Sequence, residues 1–186
     1  KPMPEALVVQ VPVLKELLAA MDICILEKGG YEADDLIGTL SRRFPETETL
    51  IYTGDRDSYQ LIDVHTSVCM NVTVKLATTK QGGTQDEIYT PAEIKAKYGL
   101  DVSQLIDLKA LMGDSSDNIP GVKGIGPKGA LTLLREYKTL DGVYEHLEEI
   151  PETTRKKLSE HKEEAYLSHT LATIDTDVPI EISLEK

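Results

Sequence analysis

No stretch of the 186-residue sequence stays apolar for the ~20 residues that a membrane-crossing helix needs. Its start also lacks the long apolar centre and small-residue cleavage site of a secretory signal. Cysteine is scarce. Cys24 and Cys69 lie in apolar, strand-like runs without metal-type spacing, and both are read as reduced core residues of a soluble cytoplasmic protein. The four histidines, His65, His146, His161 and His169, sit in dissimilar contexts and form no cluster for zinc. No repeat recurs at solenoid periods. Basic residues are outnumbered, 20 Lys+Arg against 32 Asp+Glu, and the resulting charge of -12 argues on its face against a polyanionic partner. An initiator methionine is lacking too: the chain begins Lys1-Pro2-Met3-Pro4, as a piece of a longer protein would.

What is present suits one sizeable domain, or a large lobe with a small one: 40% of residues are hydrophobic and 28% charged, which excludes disorder as a description of the whole. Val11, Leu14, Leu17, Leu18 and Met21 recur at helical spacing, and residues 23–26 read as a short strand. A helix is predicted over 33–44, with Leu36, Ile37, Leu40 and Phe44 on one face, followed by a buried strand at 50–53 and another strand at 67–74. This alternation predicts an α/β lobe with a mainly parallel sheet, over residues 1–85. A polar, glycine-rich loop at 79–84 marks the change of character. Beyond it, Thr90-Pro91-Ala92-Glu93 carries an N-cap Thr, a first-turn Pro and a Glu at the third position. From there to about residue 174 the pattern is of short helices, one built on Leu105, Ile106, Leu108 and Leu111, another on Ala130, Leu131, Leu133 and Leu134. The tail at 178–182 is a strand or an extended exit, and residues 86–186 form the expected helical lobe.

Three segments place acids where such a fold builds a site. Glu32, Asp34 and Asp35 open a helix, where the dipole alone favours them by a few tenths to ~1 kcal/mol, so capping explains them as well as function does. Asp55 and Asp57 follow a buried strand, at the end where parallel α/β sheets bind ligands. Two like charges there call for a cation between them, either a divalent ion or an ion pair with Arg56. Asp114 and Asp117 end a helix, against the dipole, and serve as turn formers or as ligands. Together the seven acids make an oxygen-only set suited to Mg²⁺ or Mn²⁺ and to a two-metal phosphoryl-transfer centre.

Between two helical patterns lies Gly121-Val122-Lys123-Gly124-Ile125-Gly126-Pro127-Lys128-Gly129-Ala130. Its glycines permit close approach and positive φ, and Pro127 opens the next helix with free N–H groups. From Asn118 to Lys138 the charges are Lys123, Lys128, Arg135 and Lys138 against Glu136 alone. An ordinary tight turn accounts for a generic Gly-x-Gly. The full pattern points to a backbone cradle for phosphates.

The run from Gly30 to Leu40, then Thr53-Gly54-Asp55-Arg56-Asp57, then Leu108 to Gly126 with its Gly113-Asp114-Ser115-Ser116-Asp117-Asn118 centre, closely resembles the 5′-3′ exonuclease (flap endonuclease) domain of bacterial DNA polymerase I. The resemblance covers nearly the whole chain. It implies a PIN-like α/β core followed by a helix-hairpin-helix (H3TH) lobe. It also implies Mg²⁺- or Mn²⁺-dependent hydrolysis of phosphodiesters near the 5′ end of flaps, nicked or gapped duplexes and RNA–DNA primer junctions, in primer removal and repair, with a polymerase domain in cis. On this sequence it makes Glu32, Asp34 and Asp35 first-site ligands or their water-mediated partners, and Asp55, Asp57, Asp114 and Asp117 holders of a second metal. Gly121, Val122, Lys123, Gly124, Ile125 and Gly126, with Lys128, would grip the duplex backbone, and the hairpin carbonyls would take a monovalent cation such as K⁺.

In that family a first strand with an Asp-Gly-Asn motif, a further ligand Asp and a basic arch precede the point matched by Lys1-Pro2-Met3-Pro4-Glu5. The expectation is therefore little or no nuclease activity from this chain alone, and an unpaired sheet edge. The alternative is a non-catalytic duplex-DNA-binding module. A nucleotide-sugar transferase, suggested by the Asp-x-Asp of residues 55–57, is disfavoured by the DNA-type hairpin.

Overall fold

The computed structural model describes residues 3–44, 47–62, 72–80 and 83–183, without the side chains of 72–80 and 83–86. Two helices, α1 (Glu5–Val8) and α2 (Gln10–Ala20), come first, and neither has a buried residue. Of the periodic positions, Leu14, Leu17 and Met21 are exposed, and Val11 and Leu18 are only half-buried. Residues 23–26 form no strand and Cys24 is exposed, which corrects both the strand and the core cysteine expected there. Among the described residues no strand lies beside this run, so its β-branched residues have no ladder to join. Cys69 and residues 67–71 of the second predicted strand fall outside the described residues.

Helix α3 (Ala33–Arg43) starts with a reciprocal capping box between Glu32 and Asp35, carries Arg42 and Arg43 in its last turn, and buries Leu36, Gly38, Thr39 and Ser41. It stops before Pro45, whose ring disfavours helical geometry in the preceding residue. Strand β1 (Thr49–Thr53) pairs in parallel with β2 (Val72–Lys80), which pairs antiparallel with β3 (Gly83–Tyr89). The described sheet is thus three-stranded in the order β1-β2-β3. The glycine-rich run expected as a boundary loop is largely taken up by this hairpin, and β3 was not foreseen. Its sequence, Gly83-Thr84-Gln85-Asp86-Glu87-Ile88-Tyr89, lacks the apolar alternation that marks a strand.

A 3-10 helix, Arg56–Leu61, follows β1 and carries Tyr59 and Leu61 into a core cluster with Ile51, Ile62, Tyr89, Ile94 and Val102. Helix α4 (Pro91–Tyr98) has the predicted start: a capping box between Thr90 and Glu93, and Pro at the first turn. It ends at Gly99 in the left-handed region, φ +67, where a carbonyl-capping turn favours glycine. Its Ile94 belongs to the first cluster, so this helix packs against the α/β side.

The remaining α-helices are α5 (Leu105–Met112), α6 (Pro127–Tyr137), α7 (Leu140–Glu145), α8 (Glu152–Glu160) and α9 (Lys162–Ala172). They enclose a second cluster that includes Leu100, Leu108, Leu111, Val122, Leu134, Val143 and Leu158. Tyr98 and Leu105 pack against both clusters and join them. Buried Gln104 donates to the carbonyls of Leu134 and Lys138, closing the open C-terminus of α6.

After α9 the chain runs back over α3 in extended form without entering the sheet. Gln60 holds the turn, its Nε2 donating to Ala172 O and its Oε1 accepting Ile174 N. Asp35 Oδ1 accepts Asp175 N at 2.9 Å, and Thr39 Oγ1 accepts the N–H of fully buried Val178 at 3.0 Å. Arg42 donates to Thr176 Oγ1, and Arg43 to the carbonyls of Val178 and Ile180.

Candidate functional site

The loop after α5 is built backwards from one close approach. Gly121, at φ +61, lies so near the end of α5 that a Cβ there would stand 2.2 Å from Gly113 N. Its own N–H donates to Ser168 Oγ of α9, and Val122 N donates to Leu111 O. Between these anchors, Asp114 and Ile119 exchange two backbone hydrogen bonds of 2.9 and 2.8 Å, with Asn118 in the left-handed region at φ +57. Buried Ile119 plugs the loop into the core, and Asp114 and Asp117 are left on its open side. Asp114 Oδ1 also accepts the Ser116 N–H and hydroxyl, so turn former and candidate ligand are the same residue. Hydrogen bonds from Ser116, then the Lys109 ammonium, draw its pKa down to about 2 against partial burial.

Asp55 caps the 3-10 helix after β1 by accepting Asp57 N at 2.9 Å, which turns Asp57 toward α5. There Asp57, Asp114 and Asp117 offer carboxylate oxygens that all lie within 4.8 Å of one another. Each like-charged pair at such a separation repels by roughly 3 kcal/mol at the effective dielectric of a protein surface. The compensating charge is Lys109, one turn before the end of α5: Nζ stands 2.5 Å from Asp57, 3.0 Å from Asp114 and 3.4 Å from Asp117. Arg56, the cation suggested by adjacency, makes no ion pair among the described residues. Lys109 falls inside the Leu108–Gly126 run, yet nothing local singles it out as a site residue, because it sits in an apolar helix and 52 positions from Asp57.

The acids of α3 divide. Glu32 and Asp35 are capping partners, and both oxygens of Asp35 accept backbone N–H groups, from Glu32 and Asp175. Asp34 is oriented differently: burial first, then the charges of Asp55, Asp57, Glu32 and Asp35, raise its pKa. Asp57 is likewise raised by burial and by Asp55 and Asp117, with Lys109 opposing. Asp34, Asp55 and Asp57 therefore feel one another across the gap between α3 and the end of β1. The donor set is all carboxylate, without His or Cys, which fits a hard divalent cation.

The hairpin also divides. Gly121, Val122 and Ile125 turn inward, while Lys123, Gly124, Gly126 and Lys128 are exposed. No side chain caps α6, so its first-turn amides face outward beside a shallow concavity lined by Gly126, Pro127, Lys128 and Gly129. Lys157 of α8, unmarked by any local pattern, donates from Nζ to Gly124 O at 3.0 Å. Arg135 and Lys138 are at the other end of the helix, donating to the carbonyls of Tyr98 and of Arg135 respectively. The exposed positive charge at the hairpin is thus Lys123 and Lys128, with Lys157 beside them.

Two family models cover the chain. Residues 1–99 match "5′-3′ exonuclease, N-terminal resolvase-like domain" and residues 100–186 match "5′-3′ exonuclease, C-terminal SAM fold". The DNA polymerase I of Caldicellulosiruptor bescii is 48% identical over 187 residues, covering 100% of this chain and 21% of that protein. That of Bacillus subtilis is 44% identical over 184 residues, 97% of this chain and 20% of that protein. The chain therefore spans about a fifth of the length of these relatives. Among solved structures, the T5 D15 protein co-crystallized with metal ions superposes with a TM-score of 0.73 at 25% identity, over 92% of this chain and 63% of that one. The catalytic core of Rad2 in complex with DNA substrate shares the fold, with a TM-score of 0.61 at 19% identity over 95% of this chain and 59% of that one. Among the described residues no helix is long and apolar enough to cross a membrane.

Proposed function

The chain belongs to the 5′-3′ exonuclease family, and on that premise we propose that it is the metal-dependent 5′-3′ exonuclease and flap endonuclease part of a DNA polymerase I. Its substrates in this reading are 5′ flaps, nicked or gapped duplexes and primer junctions, and the polymerase domain stands in cis. The observation that carries the reading is the convergence of Asp57, Asp114 and Asp117, from two segments far apart in sequence, around one positive charge. The T5 neighbour's metal ions and the Rad2 neighbour's DNA support it.

Asp57, Asp114 and Asp117, with Asp55 beside them, would hold one divalent cation, Mg²⁺ or Mn²⁺. Asp34, with Glu32 and Asp35 behind it, would serve a second. Such ions, when bound, supply an activated water and charge neutralisation for phosphodiester hydrolysis. The chain's own residues do the rest. The capping box fixes the start of α3 and with it the backbone position from which Asp34 extends. The exposed face of the hairpin, with Lys123, Lys128 and the free amides of α6, takes backbone phosphates without reading bases. The hairpin carbonyls would hold a K⁺ ion in this reading, and one of them, Gly124 O, already accepts from the Lys157 ammonium. Two lobes, 1–85 and 86–186, complete the proposal, with the end of β3 and α4 packed back onto the first through Tyr89 and Ile94.

The non-catalytic duplex-binding reading draws on Glu32 and Asp35 being engaged as caps. Titration with Mn²⁺ separates the two. The nuclease reading expects binding that is lost in Asp57→Ala and Asp117→Ala while duplex affinity persists; Mn²⁺ affinity indifferent to both substitutions sinks it in favour of the binder.

A further inference from the structure

Lys109 is the member of the acidic cluster that the nuclease reading leaves unassigned. Its side chain is 15% exposed, and its ammonium is shared among the three carboxylates, one N–H direction available to each. A cation the size of Mg²⁺ binds carboxylate oxygen at about 2.0–2.1 Å. For all three oxygens to reach one such ion they would draw in to no more than about 4.2 Å apart, and the ion would take the space between them that Nζ fills. Ammonium and divalent ion exclude each other there, by overlap and by like charge.

The structure also provides somewhere for the ammonium to go. Lys109, Asp57 and Asp114 all line one cavity of about 290 Å³, whose far wall, away from the carboxylates, includes Gln60, Tyr98 and Met112, with Arg56 also on its lining. A lysine head on a flexible four-carbon stem can swing from the carboxylate wall toward the far wall of that cavity.

We infer that Lys109 is a displaceable counter-cation, holding Asp57, Asp114 and Asp117 together in the metal-free chain and swinging away from them within the cavity they share when a divalent cation enters. The inference rests on the reading of those three acids as ligands. Because the ammonium offsets their mutual repulsion, the carboxylates are gathered before the metal arrives. The metal must then compete with a resident charge, so Lys109 sets the concentration at which the site fills.

The test is acylation of lysines by an amine-reactive reagent, read by mass spectrometry with Mn²⁺ alone as the probe, beside calorimetric Mn²⁺ titration. Saturating Mn²⁺ is expected to raise labelling of Lys109 several-fold while labelling of exposed Lys123 stays constant. In Lys109→Met the Mn²⁺ dissociation constant is expected to fall about tenfold or more, and the metal-free chain to melt lower, with Mn²⁺ restoring the loss. If Asp117→Ala abolishes Mn²⁺ binding yet Lys109 labelling in the unaltered chain is unchanged or reduced by the metal, the exchange is overturned and the metal-site reading stands. If Mn²⁺ binding does not depend on Asp117, both fall. The labelling arm needs no variant, so a Lys109→Met chain that fails to fold leaves the test intact.

Discussion

Gly121 and Gly126 bound the same hairpin and answer to different constraints. At Gly121 a Cβ would meet the Gly113 backbone at 2.2 Å with φ at +61, so Gly121→Ala is expected to cost about 3 kcal/mol or more in denaturant unfolding. At Gly126 a Cβ meets nothing within 4 Å and φ is -97, so Gly126→Ala should stay within about 1 kcal/mol. Comparable losses at both positions would mean that the backbone contact is not what selects glycine. Tyr144 offers a pH test in the same lobe. Burial, then the Glu164 charge, pushes its phenol up to about 12 from 10.0, and its hydroxyl donates to Leu158 O at 3.2 Å. The folded chain favours the neutral phenol. Its contribution is therefore fully present below pH 10 and is lost as pH rises from there through about 12. Unfolding free energies of the chain and of Tyr144→Phe should converge over that window; a constant difference at all pH values refutes the assignment.

At the scale of elements, the exposed half of the hairpin and the start of α6 act as one unit. Lys123→Ala and Lys128→Ala should each weaken duplex binding equally across sequences and lower the salt slope by about one. A shift in sequence preference would instead mean that these lysines read bases. How much of such units can be read from the sequence follows from how local they are. The start of α4 was legible residue by residue, because a capping box and a first-turn Pro are complete within Thr90–Glu93. The three acidic segments were legible as segments, each being a short run at an element end. Which acids meet was not: Asp35 is occupied by an amide 140 residues away, and Asp57 meets Lys109 through tertiary packing alone. Strand β3 was missed since β2 recruits it by backbone pairing, which needs no apolar alternation. Residues 23–26 were misread for the opposite reason: they have strand composition and, among the described residues, no strand beside them.

Across the whole molecule, two cores meet at Tyr98 and Leu105, and the returning tail ties them a second time over α3. Thr39 Oγ1 is the buried acceptor in that tie, so Thr39→Val keeps the shape but leaves the Val178 N–H unpaired in the core. The expected loss is about 1–3 kcal/mol, together with faster amide exchange across both α3 and the tail. Exchange that quickens in the tail alone would show that the two are not one cooperative unit. The net charge of -12 needs no global remedy for nucleic acid, because Lys123 and Lys128 present the positive face locally. The tie over α3 also carries a consequence in time. A ribosome delivers Asp35 and Thr39 long before Asp175 and Val178, which follow them by 140 and 139 positions. During that interval the outer face of α3 has none of its final partners, and the acids at its start lack their last anchor. The start of α3 therefore reaches its finished arrangement only once the chain has been synthesised as far as Val178, a late event of biogenesis.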